Sequence, residues 1–358
     1  MKYLKSYITF AALAFVLGCA CKPQGSDPVP DPDPVPVKNT FAKGADISWV
    51  TEMEAKGYKF QNAKGQDREC TALMKELGCN AIRLRVWVDP MAGETHSRYC
   101  DAADLLVKAK RVQELGMSLM VDFHYADGWA DPGKQPIPAS WTDHSVTALA
   151  KSVSDHTKSV LTTLRDNGVD VAWVQVGNEV TNGMLWETCR VQGRDAKNFE
   201  TVFNAGAKAV KEVYPDAKVI LHIDNAWKTD TLKWFYDLVT AAGAKYDIIG
   251  LSLYPSYWES GAYPAWETKV KQAVNYFNTL YAAYNRPVML VEFGMPASEP
   301  QKSKDALQYI LDSTKSMDFF KGVFLWEPES EKSRNGYDYG AFQNGKPTIA
   351  MDPFKLQR

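Results

Sequence analysis

Eight times between residues 43 and 325 the sequence returns to a short, β-rich apolar run, near 43–47, 80–86, 117–123, 171–176, 218–223, 247–252, 288–291 and 321–325. Between these runs lie longer segments of helical period: Leu105, Ala109, Val112 and Leu115 share one face, as do Val146, Leu149, Val153, Val160 and Leu164. His156 falls near the second face and reads as a structural helix residue. Such alternation builds a parallel sheet, because each parallel return needs a crossover long enough to hold a helix. Eight units in roughly 320 residues fit a closed (β/α)8 TIM barrel in a single domain. The rival, an open doubly wound sheet, calls for a glycine-rich phosphate loop after the first strand. Gly44-Ala45-Asp46-Ile47-Ser48 lacks the G-x-G-x-x-G spacing, which disfavours a nucleotide fold.

The barrel pattern starts near residue 39, and what precedes it has a different composition. Met1, Lys2 and Lys5 open a basic start, followed at 7–18 by an apolar stretch too short to span a bilayer comfortably. Residues 1–18 are therefore expected to be an export signal. Val16-Leu17-Gly18-Cys19 resembles a bacterial lipobox, in which Cys19 becomes the lipidated first residue of the mature chain. Residues 19–38, dense in Pro and Asp, read as a tether. At roughly 3.1 Å per residue in extended polyproline form it would hold the barrel about 50 Å from a membrane. The expected product is an exported protein, lipid-anchored at a bacterial cell surface and otherwise monomeric.

Export also permits disulfides among Cys70, Cys79, Cys100 and Cys189, with no pairing selected by sequence. Their spacing carries no paired C-x-x-C zinc signature. A formal charge of −2 gives no reason to expect nucleic acid.

In a barrel of this kind the working groups sit where strands end, so the residues leaving each apolar run carry the chemistry. The fourth run exits through Gln175-Val176-Gly177-Asn178-Glu179 and the seventh through Val291-Glu292-Phe293-Gly294. A carboxylate placed directly after a buried run needs a partner or a cleft, because burying it alone is costly. Two of them from separate strands, converging on one mouth, match the requirement of glycoside hydrolysis: one protonated acid and one ionised group flanking a sugar ring.

Other exits fit around the pair. Arg83 and Arg85 point to the same side of the second strand, and an arginine there can keep a neighbouring carboxylate ionised. His124, in Asp122-Phe123-His124-Tyr125, either binds a sugar hydroxyl or satisfies a loop carbonyl. Tyr254 offers a hydrogen-bond donor and Trp326 a stacking platform. Asp46, His222, Asp224, Asn225 and Trp227, at the first and fifth exits, are weaker candidates for substrate contacts.

These motifs resemble glycoside hydrolase family 53, the endo-β-1,4-galactanases, over about residues 41 to 350. The resemblance rests on Gly44-Ala45-Asp46-Ile47-Ser48, Arg83-Leu84-Arg85-Val86-Trp87, Gln175-Val176-Gly177-Asn178-Glu179 and Trp326-Glu327-Pro328. Its most specific part is the run from Asp122-Phe123-His124-Tyr125 to Trp129-Ala130-Asp131-Pro132. It implies a retaining hydrolase of β-1,4-galactan that needs no cofactor. Glu179 would be the acid/base, Glu292 the nucleophile, and Asn178 the group that binds the sugar 2-hydroxyl. By the same resemblance Arg83 rather than Arg85 is the site arginine, Tyr254 orients Glu292, and Trp326 floors the reacting subsite. The His124–Trp129 segment carries the preference for galactan.

Two segments depart from the family pattern. After the seventh strand Met295-Pro296-Ala297-Ser298-Glu299-Pro300 leads almost directly into a helix, so the calcium held there in some members is not expected. The segment from Glu329 to Tyr339 also differs, and with it the distal subsites. Two other readings stay open at this stage: another retaining endo-glycanase of the same clan, acting on mannan, xylan or β-glucan, and a non-catalytic glycan-binding lipoprotein.

Overall fold

A computed structural model describes residues 41–193, 195–257 and 263–355. The expected export signal, Cys19 and the Pro/Asp-rich tether lie outside the described residues. Eight strands, β1 (Ala42–Asp46), β2 (Ala81–Val86), β3 (Ser118–Phe123), β4 (Trp173–Val176), β5 (Lys218–Ile223), β6 (Ile248–Leu253), β7 (Val288–Phe293) and β8 (Phe320–Trp326), form the barrel. All are parallel, and β8 pairs with β1 to close the ring. Each expected run corresponds to one barrel strand.

The helices between them pack the faces read from the sequence. Leu105, Ala109 and Val112 of helix Ala102–Glu114 are buried, as are Leu149, Val153, Val160 and Leu164 of helix Val146–Asp166. Local signals set the helix starts: Asp101 accepts from the Asp104 N–H, and Ser145 accepts from that of Ala148. His156 is a helix residue whose ring packs on Phe123, Tyr125 and Trp141. Burial pushes its pKa down to about 4, so it stays neutral. The four cysteines are all buried free thiols, and the disulfides that export would permit are absent among the described residues.

Strand alternation sorts the barrel interior into layers. Toward the strand starts lies an apolar plug of Ala42, Ala81, Met120, Trp173, Ile220, Ile248, Met289, Val291 and Phe324. Gly44 makes room for it, since a Cβ there would lie 2.1 Å from the Phe324 ring. Two residues beyond Gly44, Ala81, Met120, Trp173, Ile220 and Gly250 the inward positions turn polar: Asp46, Arg83, Asp122, Gln175, His222 and Ser252, every one of them buried.

β7 breaks the alternation. Leu251 of β6 pairs with Leu290, but Ser252 pairs with Glu292, so Val291 is an extra residue opposite no partner on β6. A bulge of this kind re-aims the next side chain. Met289 and Val291 join the plug, and Glu292 also turns inward, level with Ser252.

Candidate active site

The polar layer is organised by Arg83. Its guanidinium is buried and donates to Asp46 (2.6 Å), Asp122 (2.9 Å), Glu292 Oε1 (2.9 Å), Asn178 Oδ1 (3.0 Å) and Gln175 Oε1 (3.1 Å). A buried charge persists only when paired and fully hydrogen-bonded, and here one cation from β2 serves five acceptors supplied by β1, β3, β7 and β4 with its exit. Burial alone would raise the pKa of Asp122. Arg83 and His124 outweigh that effect and hold it below the usual carboxylate range.

Glu292 is 5% exposed and clamped at both oxygens: Arg83 holds Oε1, and the Tyr254 hydroxyl donates to Oε2 at 2.7 Å. Burial still pushes its pKa up to about 7, against the opposing pull of Arg83 and Tyr254. Glu179 leaves β4 through Gly177 (φ 86°) and itself adopts φ 45°, a left-handed conformation costly for a residue with a Cβ. Among the described residues its carboxyl makes no hydrogen bond to Arg83. Burial, then the charges of Glu292 and Asp224, hold its pKa well above the usual range, and only the Ser252 hydroxyl and the more distant Arg83 oppose this. The two acids therefore differ in their partners. A single proton shared between them sits on Glu179, while Arg83 and Tyr254 favour the ionised form of Glu292.

Both carboxyls line a cleft of about 830 Å³, together with His124, Trp129, Asn178, Asp224, Asn225, Tyr254 and Trp326. Nine of the residues singled out from the sequence thus meet in one place. Its aromatic wall is continuous: Trp326 lies edge-on to Tyr337 (4.7 Å between centroids), to Trp49 (5.2 Å) and to Trp129 (6.0 Å). Arg85 has a separate task from Arg83. It pairs with Glu327 and lies 4.6 Å from the Trp129 ring and 4.9 Å from that of Trp49, fixing the wall from behind.

Four expectations for side chains need correction. Asp46 and His222 are fully buried, so they touch protein groups and not a substrate. Asp46 binds Arg83 and Ser48, and His222 binds Gln175 and Ser252. His124 lines the cleft, but its nitrogens are occupied by Asp122 (3.0 Å) and the Ala130 N–H (3.3 Å). Its polar role is to hold the loop that carries Trp129. Trp227 is 9% exposed and packs edge-on to Tyr263, which lines the cleft in front of it. Among the described residues Asn178 keeps one free amide hydrogen: its Oδ1 faces Arg83 and its Nδ2 donates to the Ala130 carbonyl at 2.8 Å.

Gln175, Ser252, Tyr257, Tyr263 and Tyr337 belong to the site or its support without having been singled out from the sequence. The alternation rule could have found two of them, since Gln175 follows Trp173 by two residues and Ser252 precedes Tyr254 by two. The tyrosines come from loops, where no periodicity marks them.

Residues 42–319 match the family described as glycosyl hydrolase family 53. A Neosartorya fischeri protein described as a probable arabinogalactan endo-β-1,4-galactanase A is 36% identical over 266 residues, covering 72% of this chain and 70% of that protein. Among solved structures, a fungal β-1,4-galactanase superposes with a TM-score of 0.77 at 26% identity, over 87% of this chain and 98% of that one. A family 53 catalytic domain from Ignisphaera aggregans gives 0.73 at 26% identity, over 90% and 98%.

Proposed function

The chain belongs to glycosyl hydrolase family 53, and from that premise we propose how its cleft cuts galactan. The protein is a glycoside hydrolase of the endo-β-1,4-galactanase kind, acting with retention on internal β-1,4-galactosidic linkages of galactan and arabinogalactan. The assignment of roles within it rests on one observation: the two cleft carboxyls differ in their partners, with Glu292 clamped by Arg83 and Tyr254, and Glu179 set among groups that keep it protonated.

In the first step a carboxylate oxygen of Glu292 attacks the anomeric carbon, the bond to the glycosidic oxygen breaks, and that oxygen takes the proton of Glu179. The product is a galactosyl ester on Glu292 and a free chain end. With Glu292 esterified its charge is gone, so Glu179, now ionised, is well placed to accept a proton. In the second step water attacks the same carbon, Glu179 takes the water's proton, and Glu292 leaves as carboxylate. Arg83 and Tyr254 stabilise that carboxylate before and after the cycle. Asn178 is assigned to the 2-hydroxyl through its free amide hydrogen, and Trp326 with Trp129 to stacking against the sugar face.

Reducing-sugar release from linear β-1,4-galactan, mannan and xylan tests the substrate, with galactan alone expected to be cut. The anomer formed first, followed by NMR, tests the stereochemistry: β is expected, and α would overturn the double displacement.

We also propose that the chain is exported and anchored through a lipid on Cys19. The support is the apolar stretch at 7–18 and the sequence Val16-Leu17-Gly18-Cys19. Replacing Cys19 with Ser should move activity from the membrane fraction to the soluble fraction without changing kcat. Retention of the variant in the membrane fraction would overturn the anchor.

A further inference from the structure

Between the exposed residues Lys134 and Pro136, the loop after β3 buries one amide. Asp131 Oδ1 accepts the N–H of Gly133 at 2.7 Å and that of Lys134 at 3.0 Å, and the tight turn this closes delivers the Gln135 side chain inward. A buried amide needs acceptors for its hydrogens. Those of Gln135 Nε2 are backbone carbonyls: Asn178 at 2.8 Å, Asp131 at 3.1 Å and, weakest of the three, Glu179 at 3.5 Å.

His222 meets the same stretch of chain from β5. Its Nδ1 accepts the backbone N–H of Glu179 at 3.2 Å, and its own backbone carbonyl accepts the N–H of Val180 at 2.9 Å. Burial holds its pKa well below the usual range, so the ring is neutral and Nδ1 stays an acceptor. Two peptide units flank Glu179, and all four of their polar atoms are therefore bonded. Both carbonyls go to Gln135, and both N–H groups go to His222.

We propose that Gln135 and His222 are positioning residues for the reaction, clamping the two peptides on either side of Glu179 so that its backbone stays left-handed and its carboxyl stays aimed at the glycosidic oxygen. The proposal rests on the reading of Glu179 as acid/base. The relative rotation of those two peptides is what fixes φ and ψ of Glu179, and φ is 45°. A residue with a Cβ keeps such a conformation only where its surroundings over-determine it. Four hydrogen bonds from two buried residues on separate elements do so. Released to an ordinary negative φ, the Cα–Cβ bond would turn and carry the carboxyl with it. A general acid works only within hydrogen-bond reach of the atom it protonates, and a misplacement of about 1 Å costs on the order of 100-fold in rate.

The same amide joins the acid to the substrate-facing loop. Asp131, whose carbonyl Gln135 binds, lines the cleft beside Trp129 and Ala130. Asn178, which shares the first clamped peptide, donates to the Ala130 carbonyl. Among the described residues Gln135 makes no hydrogen bond to Glu292, Arg83 or Tyr254. Its effect therefore falls on the acid and leaves the nucleophile alone, and that contrast can be measured.

Gln135→Met keeps the length of the side chain and removes its donors. On linear galactan it should lose about 30-fold in kcat with KM changed less than about twofold, since the Trp129 ring is held separately by Arg85. A 2,4-dinitrophenyl β-galactobioside has a leaving group that departs without a proton. Its glycosylation rate, read from the pre-steady-state burst, should stay within about threefold of wild type. The burst amplitude counts competent sites, so rates taken per site are not confused by a fraction of unfolded protein. Gln135→Asn keeps the amide but shortens its reach by one methylene, and should show the same contrast between substrates at smaller size.

Equal losses on the two substrates, or galactan turnover within about threefold of wild type, would overturn the clamp and leave Gln135 a packing residue. If Gln135→Met gives no burst because it does not fold, Gln135→Asn decides by the same contrast. Glu179→Gln run in parallel keeps the two readings apart. If it loses galactan turnover but keeps the burst while the Gln135 variants behave as wild type, the clamp alone fails. If Glu179→Gln retains full galactan turnover, the acid/base reading fails with it.

Discussion

The two ends of this barrel share their strands but differ in nearly every other respect. At the strand starts, Trp173 meets Phe324 edge-on at 6.2 Å, and glycines at 44 and 250 leave space for Phe324 and Ile220. At the strand ends, one step of the two-residue repeat later, the same inward positions hold Asp46, Arg83, Asp122, Gln175, His222 and Ser252. The step is about 6.6 Å of strand. Backbone strain follows the same division: Tyr125, Glu179, Asn225 and Glu327, each at or near a strand exit, have φ between 44° and 53°. The plug is built from groups that gain by leaving water. The mouth is built from groups that lose by it and are tolerated because they satisfy one another. Stability and chemistry are thus separable along a strand, and substitutions at each end test the separation.

The largest effect is expected at Glu292. Glu292→Gln keeps the shape of the side chain and removes the nucleophile, so turnover on galactan should fall on the order of 10⁴-fold. Its melting temperature should be unchanged or higher, since Arg83 keeps Asp46 and Asp122 as partners and one desolvated carboxylate is gone. Steady-state kinetics beside a thermal melt checks both halves. A variant that loses several degrees along with its activity would show that the mouth also carries the fold.

Trp173→Ala is the opposite case. Emptying the plug should cost about 3–5 kcal/mol of stability, read from urea unfolding. The kcat of the molecules that remain folded should stay within about twofold of wild type, because the polar layer rests on Arg83 and its acceptors and not on the indole. A proportional fall in kcat would mean that the cavity reaches the mouth through Gln175, two residues along the same strand.

How far this division was legible in the sequence depends on the element. All eight strands were, because each apolar run is bounded by polar or glycine-bearing exits. The seventh was read as 288–291 and extends to Phe293. The missing part is where alternation fails: by strict period Glu292 faces away from the barrel, and only the bulge at Val291 brings it inward. Pairing register between β6 and β7 decides that, and register is a property of two strands, not of one sequence window. Asp46 and His222 were read as substrate contacts for a related reason. The sequence shows which residues leave each strand, but not how tightly eight exits crowd around one arginine. Among the described residues the cysteines show the same limit, since export permits disulfides but cannot bring buried thiols into bonding geometry.

The smallest effect should come from Tyr254→Phe, and it separates the two ends by pH. The hydroxyl donates to Glu292 Oε2 at 2.7 Å, a bond to a charged acceptor. Removing it should cost roughly 1.5–3 kcal/mol of transition-state stabilisation, about a 10- to 160-fold loss in kcat/KM. The direction of the pH change follows from which form of Glu292 the hydroxyl favours. It donates to the carboxylate, so it lowers the pKa that burial has pushed up to about 7. Without it that pKa rises, Glu292 protonates earlier as pH falls, and the low-pH limb of the kcat/KM profile moves to higher pH. The high-pH limb belongs to Glu179 and should stay where it is. Trp173→Ala, which touches only the plug, should move neither limb. If Tyr254→Phe shifts both limbs equally, the two carboxyls titrate as one group, and the partner asymmetry that assigns their roles is not what sets them.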